Sequence, residues 1–307
     1  MWSASSLVPE ARAVSVSRRT DIPALFGPWF ARRLEEGFAE YVPLGPPRRV
    51  RCSLRPEEVT HFAFWSKWPR PFFPVLERVI ARGYPVLWNV TVTGLGGTAV
   101  EPHVPAPERA LEAVTELARR VPASAIVWRY DPVFVSSRYP AAHHLETFAR
   151  LAERLAGQVD RVAISFLTSY ARQVAPDLRA YAHETRDHVP EVPLAAQVDL
   201  AGRLADLARE AGLSLTVCCS PELRAALGAP RAECNSFAWA ARVYPALAAR
   251  RLPDKPCRPD CGCSKEVDLG VYDTCVLGCR YSYGSTCEAR ARVRFAAHDP
   301  EAPCLIP

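Results

Sequence analysis

The sequence predicts an α/β fold: a (β/α) barrel or partial TIM-like barrel with a cysteine-rich C-terminal extension. Three observations predict it. Short β-rich runs alternate with amphipathic helical stretches from residue 13 to 217, the element order that builds a largely parallel sheet. The 29 prolines mostly punctuate the connections between those runs, as a rigid multi-loop scaffold requires. Near residue 250 the alternation dissolves, and six of the eleven cysteines crowd into residues 257–287. The predicted organisation is therefore a barrel-like domain over 1–250 and a metal-binding extension over 251–307. A segment poor in buriable apolar surface needs another source of order, and metal ligation supplies one.

In chain order, Ala13–Ser17 reads as a first strand, stopped by Arg18-Arg19-Thr20-Asp21-Ile22-Pro23. A helix follows near Pro28–Glu36, with Trp29, Phe30 and Leu34 on one side. Val50–Leu54 reads as a second strand and His61–Trp65 as a third, ending in Ser66-Lys67-Trp68-Pro69. Pro85–Thr93 is a strand that breaks at Gly94-Leu95-Gly96-Gly97; this partial glycine run does not complete a dinucleotide fingerprint. Glu108–Val121 carries Leu111, Val114, Leu117 and Ala118 at helical spacing. Strand Ala125–Arg129 leads to Tyr130-Asp131-Pro132, helix His144–Leu155 to strand Arg161–Phe166, and helix Asp199–Ala211 to strand Leu213–Val217. That makes seven strands. No helix or strand is predicted after residue 250. His143 and His144 read as surface or capping residues at a helix start, and His183 and His188 as part of a polar loop.

Composition narrows the function classes. A chain of 307 residues with 49% hydrophobic content buries a full core. The net charge of +5 permits an anionic partner, nucleic acid included, yet no concentrated basic run marks a nucleic-acid interface. The first residues lack a basic start followed by an apolar core, and no apolar run reaches the roughly 20 residues of a membrane span. A cytoplasmic protein without a membrane association is expected. In that compartment disulfides rarely persist, so the cysteines point to metal or redox chemistry.

In a parallel sheet the residues just after each strand share one face, where active sites gather. These positions are Arg18, Arg19, Thr20 and Asp21; Ser66 and Lys67; Thr93 and Gly94; Arg129 and Asp131; Ser165; then Cys218, Cys219 and Glu222. Arginine and lysine there suit carboxylate or phosphate groups, so a small-molecule or anionic substrate is expected. Equally, Arg–Asp neighbours tie loops together as structural ion pairs.

Cys275-Val-Leu-Gly-Cys279-Arg-Tyr281-Ser282 resembles the motif of radical S-adenosylmethionine enzymes. There, three cysteines spaced C-x3-C-x2-C, with an aromatic residue before the third, hold a [4Fe-4S] cluster whose open iron takes the cofactor. Cys275, Cys279 and the aromatic Tyr281 match, but Ser282 stands at the third position, and serine is the poorer iron ligand. Three accounts of Ser282 stay open. Cys287 or an outside ligand substitutes, cofactor cleavage has been lost, or the residue is an engineered replacement.

The chain also resembles a bacterial family catalogued as domain of unknown function eighteen-forty-eight. The matching pieces are SVSRRTDIPA from Ser15, FWSKWP from Phe64, VTVTGLG from Val90, WRYDP from Trp128 and ISF from Ile164. In the tail they are CGC at Cys261, VDLGVYDTC ending at Cys275, and GCRYSYG from Gly278. The resemblance implies a barrel-like domain with a radical-SAM-type motif at its C-terminal end. It also implies a second four-thiolate site at Cys219 or its neighbour, Cys234, Cys261 and Cys263.

The expected function is thus an iron–sulfur enzyme with one or two [4Fe-4S] clusters and S-adenosylmethionine, served by an electron donor such as a ferredoxin or flavodoxin. Cys275, Cys279 and Cys287 would hold the cluster, with Thr93, Gly94, Tyr281 and Ser282 on the cofactor side. Arg18, Arg19, Asp21, Lys67, Arg129 and Asp131 would position cofactor or substrate. The alternatives are a zinc-stabilised binding protein and an electron-transfer or sensing protein without cofactor cleavage.

Overall fold

The computed structural model describes residues 11–43, 48–168, 174–250 and 260–306. Its elements begin β1 (Arg12–Val16), α1 (Ile22–Leu25), α2 (Gly27–Glu36), β2 (Phe38–Tyr41), β3 (Val50–Ser53) and β4 (Val59–Ser66). Next come α3 (Phe73–Ala81), β5 (Val86–Thr91), α4 (Pro107–Ala118), β6 (Ile126–Val133), α5 (Ala141–Leu155) and β7 (Arg161–Phe166). The chain then runs through α6 (Ala175–Thr185), α7 (Leu194–Glu210), β8 (Ser214–Val217), α8 (Pro221–Leu227), α9 (Phe237–Val243), β9 (Glu266–Asp268) and α10 (Glu288–Ala296).

Seven strands form one parallel sheet in the order β8-β7-β6-β5-β4-β1-β9. From β1 through β8 spatial neighbours follow chain order, as in a (β/α) barrel. The edge strands β8 and β9 share no ladder among the described residues, so the sheet is open there.

The strands alternate between two apolar environments, as period-2 side-chain geometry dictates. Phe62, Phe64, Trp88, Ile126, Trp128, Val162 and Ile164 join the layer packed against the helices. There Trp128 stacks on Phe148 of α5 at 4.7 Å and Phe64 on Trp88 at 4.6 Å. The other face carries Ala63, Leu87, Val127 and Ala163, which pack with Trp239, Ala240 and the thiols Cys218, Cys234, Cys261 and Cys263. Alanines at two of these strand positions leave room for the segment after β8 to run inside the sheet. Trp239 Nε1 donates to Ser124 O (2.8 Å), Tyr244 Oη to Val86 O (3.0 Å) and Asn89 Nδ2 to Cys234 O (2.8 Å). This segment covers the sheet face opposite the helices.

Several expectations need correction. Val50–Ser53 is not a strand of the main sheet: it pairs antiparallel with the unanticipated β2, and Cys304 bridges to Glu40 beside it. The seventh place belongs to β9, in the stretch predicted to lack regular structure, and α10 follows it. Helix α7 starts at Leu194 rather than Asp199, and α3 was not anticipated although its apolar face packs on β4 and β5. His144 is 1% exposed: its Nδ1 meets Tyr130 Oη at 2.7 Å and its Nε2 donates to Phe134 O at 2.9 Å, so it is neither surface nor cap. His183 lies on α6 rather than in a loop. Among the described residues no helix is long and apolar enough to cross a membrane.

Candidate functional site

The C-terminal ends of β1, β4, β5 and β6 meet the cysteine loop 275–282. Asp21 caps the start of α1, its carboxylate accepting the Ala24 N–H (2.9 Å) and the Lys67 N–H (2.8 Å). Burial pushes Asp21 up to about 6, against the pull of those donors. Its own backbone N–H and that of Leu277 hydrogen-bond to the sulfur of Cys275. Burial nonetheless pushes the Cys275 thiol up to about 11 and holds Cys279 well above its ordinary range, with Lys67 pulling both down.

Lys67 is the centre of the crevice. Its Nζ donates to Glu101 Oε1 (3.0 Å) and to Tyr281 Oη (2.8 Å), and Tyr281 itself donates to the same carboxylate oxygen. Thr93 Oγ1 adds a third donor to Glu101 Oε1 at 2.6 Å. Burial would lower Lys67, but Glu101 and then Cys279 outweigh it, and the ammonium is held above its ordinary range. Glu101 was missed by sequence reasoning. The available signal was its position: it is the sole acid between Gly94 and Pro107.

On β6 the guanidinium of Arg129 faces inward, with Nη1 on Cys234 Sγ (2.8 Å) and Nη2 on Asp131, whose other oxygen accepts from Ser165. Arg129 thus joins the strand-end crevice to a second thiol group. Cys218 Sγ lies 3.7 Å from Cys219 Sγ; Cys218 also touches Cys234, and Cys234 touches Cys263. Contact with Cys219 and then Cys234 holds Cys218 well below the usual thiol range, while Cys234 is pushed up to about 12 by its contact with Cys218. Arg129 is the local cation of this thiol group. Cys261 is buried in the same cluster, on the side of Glu266. Among the described residues no three metal-capable side chains stand close enough to hold an ion as they are. Cys257 lies outside the described residues.

The remaining expected residues serve the scaffold. Arg18 pairs with Glu266, and Arg19 Nη2 donates to Asp268 O at 2.7 Å, so both arginines bind β9. Gly94 has φ +80°, and a Cβ there would run into Thr147 of α5, so close packing calls for glycine here. Ser282 Oγ accepts the Gly284 N–H (3.2 Å) and the Ser285 N–H (3.3 Å), and Cys287 caps the start of α10. Lys67, Arg129, Arg18 and Arg19 each have a carboxylate partner. An incoming anion has to share these cations with groups already in place.

Fold and site together define an α/β protein with a parallel sheet, a charged cluster at its strand ends and two thiol groups contributed largely by the C-terminal part of the chain. The chain belongs to the family described as domain of unknown function (DUF1848), whose model matches residues 13–284. Among solved structures it is similar to one titled "Apo structure of a beta-glucosidase 1317", at 16% identity and a TM-score of 0.32. That similarity covers 52% of this chain and 51% of the glucosidase, about half of each. No curated protein matches the chain.

Proposed function

We propose that this protein is an iron–sulfur enzyme of the radical S-adenosylmethionine type, working at the strand-end crevice. The observation that supports it most directly is the setting of Cys275 and Cys279. Two half-buried thiols four residues apart face the Lys67 ammonium, and one receives backbone N–H groups from both the sheet side and its own loop. A sulfur surrounded by donors and a cation suits a thiolate ligand, and such hydrogen bonds tune iron–sulfur potentials. The donor set fits a cluster at two of three positions, with Ser282 oxygen at the third.

In this reading Cys275 and Cys279 would hold the iron of a cluster that would supply an electron for reductive cleavage of S-adenosylmethionine. Lys67 and Tyr281 present a cation and a hydroxyl to the cofactor or substrate, and the Arg129–Asp131–Ser165 string fixes the opposite wall. The substrate is a small molecule whose anionic groups compete with Glu101 and Asp131 for these cations. An outside electron donor of the ferredoxin or flavodoxin kind is required.

The 3.7 Å contact between Cys218 and Cys219 favours a second reading for the inner thiols. A tetrahedral zinc–thiolate site with bonds of about 2.3 Å has sulfur–sulfur edges of about 3.8 Å. Cys218 and Cys219 with two of Cys234, Cys261 and Cys263 would then form a zinc site ordering the inner segment.

Anaerobic reconstitution followed by iron and sulfide analysis tests both readings. Stoichiometric iron and sulfide, reduced by Cys275→Ala and Cys279→Ala, with reductive cleavage of S-adenosylmethionine, is expected. Background iron and no cleavage in the unaltered protein overturn the enzyme reading. Zinc lost on Cys234→Ala identifies the second site.

A further inference from the structure

The glycine run Gly94-Leu95-Gly96-Gly97 opens the connection from β5 to α4, and that connection is where the cysteine loop docks. Arg280 N donates to Val100 O (3.0 Å) and His103 N to Leu277 O (3.3 Å), so backbone from the two loops interlocks in both directions. Gly278 sits at φ +71°, and a Cβ there would come within 3.0 Å of Pro102 and 3.1 Å of His103. Tyr281 packs beside Leu95, Val100 and Phe134, with its ring 6.2 Å from that of Phe134. The connection is itself tightly made. Gly97 N donates to Glu101 O, Glu101 N donates to Thr98 O, and a Cβ on Gly96 would overlap the Pro105 carbonyl.

At the centre of this joint stands Glu101, 1% exposed. One carboxylate oxygen receives Thr93 from the end of β5, Lys67 from the end of β4 and Tyr281 from the cysteine loop. Charge-assisted hydrogen bonds of this kind are the strong ones, and buried they orient what they hold. Tyr281 is two residues beyond Cys279 and one before Ser282.

We propose that Glu101 is the positioning residue of the cysteine loop: it anchors Tyr281 and Lys67 together and so aims Cys275 and Cys279 at the strand ends. This rests on the reading of those thiols as the reactive centre only for its use, because the joint is made of protein groups alone. Glu101 itself touches no reacting atom. Its carboxylate is the common acceptor for both strand ends and the loop.

The test is thiol accessibility in the metal-free full-length protein. Iodoacetamide labelling is followed by peptide mass spectrometry, with Cys234 and Cys263 as internal references. In Glu101→Gln, which keeps shape but weakens acceptance from Lys67, labelling of Cys275 and Cys279 is expected to quicken at least about tenfold while the reference thiols keep their rates. Tyr281→Phe should do the same, and Tyr281→Phe combined with Glu101→Gln should add little to either alone. Unchanged rates at Cys275 and Cys279 in both variants overturn the proposal. Equal acceleration of all four thiols also overturns it, since that reports general loosening. The readout needs no iron, so failure of the enzyme reading in reconstitution leaves this result independent.

Discussion

Replacing His61 with glutamine should change how stability depends on pH. The imidazole is fully buried on β4, with Nδ1 at 3.1 Å from Thr60 Oγ1 and Nε2 at 2.6 Å from Asn235 Oδ1, next to Cys234. Burial lowers it from 6.5 to about 4, against the pull of Asn235. The unfolded chain therefore takes up the proton first, and stability falls as pH drops from 6.5 towards 4. The loss amounts to about 2 kcal/mol near pH 5. Glu266, bonded to the same Asn235, acts in the opposite sense. Burial raises it from 4.5 to about 7, so the folded state binds the proton first and stability rises as pH falls through that range. The two nearly cancel in the unaltered protein, whereas His61→Gln leaves Glu266 unopposed. Losing the Thr60 partner costs about 1 kcal/mol at every pH. Relative to the unaltered protein, the variant should then be about 2 kcal/mol better off near pH 5 than near pH 7.5. Urea unfolding followed by tryptophan fluorescence at the two pH values measures this difference. A gap between the two proteins that is the same at both values would refute a neutral buried His61.

Other outcomes follow from contacts at the site. Gly270→Ala places a Cβ against the Ser17 side chain and should cost about 1–3 kcal/mol as overpacking, read as a lowered thermal midpoint. Arg129→Gln strips the guanidinium from Asp131 and Cys234. A loss of about 3 kcal/mol is expected, near the lower limit for a broken buried pair because Asp131 is 20% exposed; urea melts check it. Ser282→Cys completes a three-thiolate set on a loop whose Gly284 and Ser285 amides already point at that position. Iron and sulfide per chain after anaerobic reconstitution should rise above the parent protein, and no increase would place the loop's sulfurs on different centres.

The alternation of strand and helix was legible because the outer faces of β4 to β7 carry Phe64, Trp88, Trp128 and Ile164 against amphipathic helices, a strong local pattern. What stayed hidden depends on distant partners. Strand β9 is three residues of mixed polarity, Glu266-Val267-Asp268, and becomes a strand only because β1 offers an open edge. Val50–Ser53 has the composition of a sheet strand, yet it pairs with β2 outside the main sheet. At the site, Lys67, Arg129, Asp131, Cys275 and Cys279 were readable from their place after strands or in a motif. Glu101 was not, since its role comes from three donors whose convergence only the folded loop creates. The ion pairs of Arg18 and Arg19 were hidden for a related reason: their acids lie about 250 residues further on, at Glu266 and Asp268.

That long-range pairing has a consequence for how the protein is made. About 250 residues separate β1 from its outer neighbour β9. Until β9 has been translated, two guanidinium groups and one sheet edge lack their mates, so the nascent chain exposes a sticky, positively charged rim over that interval. Docking of β9 closes the rim, and the sulfur-bearing loop that follows it in the chain is tethered beside the strand ends by the same step.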